Sequence, residues 1–191
     1  MIGITGGIGA GKSVVSRLLR AKGLPVYDCD SQDKRILNES PELREAIARR
    51  FGSHCIAPDG TIATKEVAKI VFHDSVARTW LNHLVHSAVR EDVARFADSH
   101  PDPVFVESAI MKTSRLYLQL DAMWVVSAPE DLRILRSCRR DGADIEQVKA
   151  RIDAQSSEYA DFGDIPVAMI FNDDSHSLLT QVDSLLDPLL L

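Results

Sequence analysis

Residues 6–13 read Gly6-Gly7-Ile8-Gly9-Ala10-Gly11-Lys12-Ser13, a GxxxxGK[ST] pattern between an apolar strand-like segment and an amphipathic helix-like one. Few sequence features constrain a fold more. Glycines let the backbone turn tightly and aim its N–H groups at phosphate oxygens. A helix starting near Lys12 adds the positive end of its dipole. In that setting Lys12 reaches the β- and γ-phosphates of ATP (or GTP), and the Ser13 hydroxyl takes one coordination site on Mg²⁺. The nucleotide-binding stretch is therefore Gly7, Ile8, Gly9, Ala10, Gly11, Lys12, Ser13 and Val14, with Ser13 as the metal ligand. A glycine-rich turn with an incidental Lys-Ser needs no such flanks, so the context supports the nucleotide.

The rest of the chain is read around that loop. Ile2 to Thr5 is a short buried strand, and Val14, Val15, Leu18 and Leu19 fall at helical spacing from about Lys12 to Lys22. Gly23 suits the helix C-cap, and Leu24 to Tyr27 reads as a second strand. A mostly helical stretch from about Ser31 to Asp98 follows, broken at Ala57-Pro58-Asp59-Gly60 and before Thr64. Beyond the turn bracketed by Pro101 and Pro103, Val104 to Val106 and Met123 to Val126 read as strands. Helices are expected from Pro129 to Arg140 and from Asp144 to Ser157, then a strand at Val167 to Phe171 and a helix at His176 to Leu186. Strands alternating with helices predict an α/β fold, a doubly wound parallel sheet of about five strands. The expected layout is one domain over 1–191: core 1–30, 101–140 and 160–191, a helical substrate-binding insertion 31–100, and a lid 139–159.

Composition narrows the partners. At 191 residues, 45% apolar and 26% charged, the chain can bury one substantial core. A net charge of −6 argues against gripping nucleic acid by bulk electrostatics. Cys29, Cys55 and Cys138 show no metal-binding or CxxC spacing and read as reduced thiols. No apolar run reaches the length of a membrane span. A strand beginning at Ile2 leaves no room for a targeting segment, so the expectation is a cytoplasmic protein, monomer or small homo-oligomer.

Two further groups of residues carry chemistry. Asp28 and Asp30 close the second strand, whose carboxyl end opens on the same crevice as the phosphate loop. Two roles stay open for Asp30: a carboxylate that takes a proton or holds Mg²⁺ through water, or a cap for a helix beginning at Ser31. Asp28 is the weaker candidate. Arg133, Arg136 and Arg140 share a helix face by their spacing, and Arg139, Lys149 and Arg151 lie nearby. Such cations can close over a transferring phosphoryl group. Several belong to a solvated surface, and Arg140, followed by Arg139, is the expected participant.

The opening Gly3-Ile4-Thr5-Gly6-Gly7-Ile8-Gly9-Ala10-Gly11-Lys12-Ser13 resembles the GxTGGIGSGKS stretch of dephospho-CoA kinases. Val26 to Asp30 is similar to that family's V-x-x-x-D, which implies that Asp30 is the catalytic base. Leu81-Asn82 and His86 match a middle-helix motif, with Ser87 where a proline is usual. Arg139-Arg140-Asp141, Arg151 and Gln155 match the lid, and Phe171-Asn172-Asp173 a strand end near adenine. The resemblance runs along essentially the full length. It implies ATP and Mg²⁺, with Asp30, Lys12 and Arg140 catalytic, Arg139 and Asn172 on the nucleotide, and Thr5, Asp30, His86 and Glu107 on dephospho-CoA. The third strand departs from the Pro-Leu-Leu-x-Glu pattern: it runs Glu107-Ser108-Ala109-Ile110-Met111-Lys112, the downstream glutamate is missing, and Glu107 is the substitute acid. The expected reaction moves the γ-phosphate of ATP to the ribose 3′-hydroxyl. The alternatives are a kinase for a nucleoside monophosphate or shikimate, a nucleotide-dependent switch, for which the Asp-x-x-Gly and Asn-Lys-x-Asp motifs are lacking, and a catalytically weak homologue.

Overall fold

The computed structural model of the protein describes residues 1–159 and 161–190, and for Lys34 the backbone alone. The ends of the expected core segment 160–191, Ala160 and Leu191, lie outside the described residues. The strands are β1 (Ile2–Thr5), β2 (Val26–Asp28), β3 (Phe105–Glu107), β4 (Ala122–Ser127) and β5 (Val167–Phe171). The helices are α1 (Lys12–Ala21), α2 (Cys29–Glu39), α3 (Pro41–Phe51), α4 (Thr64–His73), α5 (Ser75–Asp98), α6 (Glu130–Asp141), α7 (Ile145–Ala154) and α8 (Leu178–Leu186). Two compact units emerge, Met1–Asp28 with Phe96–Leu191, and Cys29–Arg95.

The first unit is built on a five-stranded, all-parallel sheet in the order β2-β3-β1-β4-β5, the expected fold class. Every residue of β1 is buried, as a central strand covered on both faces requires. Ile2 and Ile4 join Val15 and Leu19 of α1, Phe105, Trp124, Val126, Ile170, Val182 and Leu186 in one core. The chain runs from β1 to one side of the sheet and later from β4 to the other. The crevice at their carboxyl ends is the switch point where such sheets bind ligands, and the loop after β1 sits there.

Several boundaries move for identifiable reasons. Strand β2 starts at Val26 rather than Leu24: the Pro25 carbonyl accepts from Phe105 N–H at 2.9 Å, but proline has no N–H to offer the ladder. β3 runs one residue further than expected and takes in Glu107. Asp144 caps α7 by accepting from Gln147 N–H, and the helix stops at Ala154 before a 3₁₀ turn over Ser156–Tyr159, rather than reaching Ser157. Ser177 caps α8, while His176 N–H goes to Asp173 instead of entering the helix.

The second unit is helical, as expected between β2 and β3. Pro41 opens α3 and Ser40 accepts from Leu43 N–H at 3.2 Å. The Ala57 to Gly60 turn is flanked by a short antiparallel bridge between Ile56 and Ile62. Ile47, Cys55, Ile62 and Val67 form a separate small core, against which Phe51 and Trp80 pack edge to face at 5.2 Å. A groove of about 660 Å³ runs among α2, α3 and α5, lined by Arg35, Leu43, Ser87 and Asp92 among others. Both Arg35 and Arg95 ion-pair with Asp92 there.

Candidate active site

The loop between β1 and α1 wraps as a phosphate cradle. Gly9 (φ 75°) and Gly11 (φ 105°) adopt left-handed backbone, which glycine does at least cost. Each is also closed in from outside: a Cβ on Gly9 would overlap the Arg133 carbonyl, and one on Gly11 the Asn172 amide. Lys12 Nζ donates to Gly6 O at 2.9 Å and lies 3.5 Å from Gly7 O, so its ammonium is folded back over the loop. Helix α1 starts from Gly11 with no side-chain cap and no acidic residue in its first turn. An uncapped helix start of this kind suits an anion.

The chain that follows β4 and β5 braces the loop. Asn172 Nδ2 donates to Ala10 O at 2.7 Å. Arg133 Nε donates to Ile8 O at 3.0 Å, Ile8 N–H donates to Gln155 Oε1 at 3.1 Å, and Arg136 donates to Asn172 O at 3.0 Å. The Arg133 guanidinium lies over the Tyr159 ring, 5.9 Å from its centroid. A cavity of about 320 Å³ beside the loop is lined by Gly7, Ala10, Arg133, Tyr159, Phe162 and Met169 among others. In the next turn the buried Glu158 carboxylate accepts from Lys112 N–H and Thr113 N–H, each at 3.1 Å, and from the Thr113 hydroxyl. The turn after α7 is thereby fastened to the segment after β3.

The arginine face divides in a way that spacing does not reveal. Arg133 and Arg136 point to the loop and to the end of β5. Arg140 instead makes a two-pronged pair with Asp141, at 2.7 and 3.0 Å, and is largely exposed, as is Arg139. The Asp141 contact holds the Arg140 guanidinium above its usual pKa, and Asp141 itself below the ordinary carboxylate range. The i, i+3 spacing of Arg133 and Arg136 was the available signal for them, but the expectation ranked Arg140 and Arg139 first, because spacing among four arginines in eight residues does not say which of them faces the loop.

Asp28 and Glu107 stand side by side at the carboxyl ends of β2 and β3. Burial pushes the Glu107 carboxyl above the ordinary glutamate range; the Ser16 hydroxyl opposes this, Asp28 adds to it, and Lys12 and Arg20 pull it back. Thr5 is fully buried at the end of β1, and its hydroxyl has no partner among the described residues. Asp30 and His86 belong to the second unit, Asp30 exposed in the first turn of α2 and His86 half-buried in α5. Two expectations change here. Asp30 is not a strand residue, because β2 ends at Asp28. Nor does it cap a helix beginning at Ser31, because α2 already begins at Cys29.

Comparison with known proteins shows the family. The sequence profile of the dephospho-CoA kinase family matches residues 1–175. A dephospho-CoA kinase from Bacteroides fragilis is 35% identical over 189 residues, covering 95% of this chain and 88% of that protein. Another, from Methylococcus capsulatus, is 34% identical over 187 residues, with 97% and 94% covered. Among solved structures, TT1252 from Thermus thermophilus superposes with a TM-score of 0.75 at 30% identity, covering 99% of this chain and 95% of that one. The chain belongs to the dephospho-CoA kinase family.

Proposed function

We propose that this protein transfers the γ-phosphate of ATP to the ribose 3′-hydroxyl of dephospho-CoA, giving CoA. The observation that carries it is the folded Gly6 to Ser13 loop, with Lys12 turned over it, in a chain that matches the family along residues 1–175. The loop and the start of α1 hold the triphosphate, and Lys12 meets charge that builds on the transferring group. Arg140 is proposed to leave Asp141 for that group, an exchange favoured by the exposure of the pair. Asn172 and Arg139 are proposed on the nucleotide. Asp30 is proposed to take the hydroxyl proton, with His86, Glu107 and Thr5 on the acceptor side.

The residues present suit Mg²⁺. The exposed Ser13 hydroxyl stands in the first turn of α1, and the Asp28 and Glu107 carboxylates end neighbouring strands. Oxygen donors of this kind, few in number, are what Mg²⁺ accepts while keeping several waters. Bound there, Mg²⁺ neutralises phosphate charge. The cytoplasm is the proposed setting, supported by Cys29, Cys55 and Cys138 standing as thiols rather than in a disulfide, two of them buried; among the described residues no helix is long and apolar enough to cross a membrane.

A coupled ADP-release assay tests the reading, with dephospho-CoA, shikimate, AMP and CMP offered in parallel. The expected result is release that depends on dephospho-CoA, with CoA as product. Turnover with another acceptor alone would replace the substrate while keeping the loop, and turnover with none would remove the kinase reading.

A further inference from the structure

Two side chains hold the crown of the phosphate loop from outside, one on α6 and one at the C-cap of α7. Arg133 Nε donates to the Ile8 carbonyl at 3.0 Å, and Gln155 Oε1 accepts from the Ile8 N–H at 3.1 Å. Both bonds involve Ile8 but act on different peptide planes. The Ile8 N–H belongs to the Gly7–Ile8 peptide, and the Ile8 carbonyl to the Ile8–Gly9 peptide. Both peptides are trans, so in each plane the N–H and C=O point in opposite directions.

The consequences can be followed plane by plane. Gln155 draws the first N–H outward, so the Gly7 carbonyl faces the other way. There it accepts from Ala10 N–H at 3.1 Å and lies 3.5 Å from Lys12 Nζ. Arg133 draws the Ile8 carbonyl toward α6, so the Gly9 N–H is turned away from α6. Glycine on either side of Ile8 leaves both planes free to rotate if released. A rotated Ile8–Gly9 plane would present a carbonyl where an N–H had pointed, and the sign of that dipole decides whether it helps or opposes developing phosphate charge.

Resting on the phosphoryl-transfer reading above, we propose that Arg133 and Gln155 are positioning residues that lock these two peptides and so present the Gly9 N–H to the phosphates of the nucleotide. Their own placement is secured separately. The Arg133 guanidinium rests over the Tyr159 ring, and three residues after Gln155 the Glu158 carboxylate is pinned to the Lys112 and Thr113 N–H groups. One short segment thus ties the loop after β1 to the segment after β3. Phosphate binding draws on the whole loop and the α1 terminus, whereas the clamp governs one donor's orientation. Its loss is therefore read in turnover more than in nucleotide affinity.

The test compares Arg133→Met, Arg133→Gln and Gln155→Met in the intact protein. Glutamine places an amide donor as many bonds along the side chain as the arginine Nε, without the positive charge. Three readouts are taken: kcat and KM for ATP in dephospho-CoA-dependent ADP release, ATP affinity by calorimetry, and the Ile8 and Gly9 amide resonances by ¹⁵N NMR. The two methionine variants are expected to lose about 10- to 100-fold in kcat, below the ~10²–10³-fold of deleting an oxyanion-stabilising donor outright. Their ATP affinity should stay within about 3-fold and both amide resonances should shift, while Arg133→Gln should recover to within about 3-fold of the parent kcat. Equal losses in Arg133→Gln and Arg133→Met would mean that the guanidinium charge acts on the nucleotide itself, and would overturn the proposal. Unmoved amide resonances in the methionine variants would overturn it as well. If the parent protein shows no turnover with dephospho-CoA, the kinase reading fails while calorimetry and the amide resonances still decide whether the clamp exists.

Discussion

At the scale of single residues, two carboxyl groups carry the sharpest expectations. Asp30→Asn should lower kcat by ~10²–10⁴-fold with ATP affinity little changed, the signature of losing a general base. Near-full turnover in that variant, measured by ADP release, would remove the role from Asp30. Glu107 behaves differently, because burial raises its pKa in the folded state. The folded protein then binds the Glu107 proton more tightly than the unfolded chain does. The resulting stability is present in full below the ordinary carboxylate range and is lost as pH rises through the raised Glu107 value. Glu107→Gln, neutral throughout, should flatten that loss, so melting temperature from pH 4 upward should fall less steeply than in the parent. Parallel melting profiles for the two proteins would show that the Glu107 carboxyl is not held in that way.

At the scale of elements, caps and glycines explain where helices begin and how closely they approach one another. Ser40 both satisfies Leu43 N–H and precedes Pro41, whose fixed φ suits a first helical position. Ser40→Ala should cost about 1 kcal/mol, read as a lower urea midpoint with the slope unchanged. The glycines of the phosphate loop serve packing as well as turning. α6 approaches Gly9 with its own backbone, and the Asn172 amide approaches Gly11, so the loop is moulded against the segments that follow β4 and β5. In the first unit periodicity and punctuation sufficed: β1 to β5 and α1, α6, α7 and α8 lie within a few residues of their expected places. Residues 31–98 were expected only as one mostly helical stretch, and its division at Ser40 and Asp74 was not read. The exceptions arose where one residue's own chemistry overrode a pattern, as the missing Pro25 N–H did at β2 and the Asp144 side-chain cap at α7.

At the scale of the whole molecule, each unit has its own core. Ile47 is fully buried in the smaller one, among Cys55, Ile62 and Val67. Ile47→Ala should cost about 2–5 kcal/mol within that unit. Hydrogen exchange is expected to show α3 and α4 losing protection before β1, β3 and β4, since the cluster around Ile47 has far fewer fully buried members than the sheet core among the described residues. Simultaneous loss across both units would mean that they unfold as one.

The loop from Gly6 to Ser13, the alternation of strand and helix, and the helical character of residues 31–98 were determined by the sequence itself. Glycine spacing, apolar periodicity and turn residues act over a few positions, and the neighbouring chain suffices to express them. Tertiary structure alone decided that Arg133 and Arg136, rather than Arg139 and Arg140, touch the loop and the β5 end, and that Gln155 holds the Ile8 N–H. It also decided that Glu158 fastens the segment at Lys112 and Thr113. Those contacts join residues tens to well over a hundred positions apart. Which way a side chain points at that separation depends on how helices dock on the sheet, and local spacing carries no record of it.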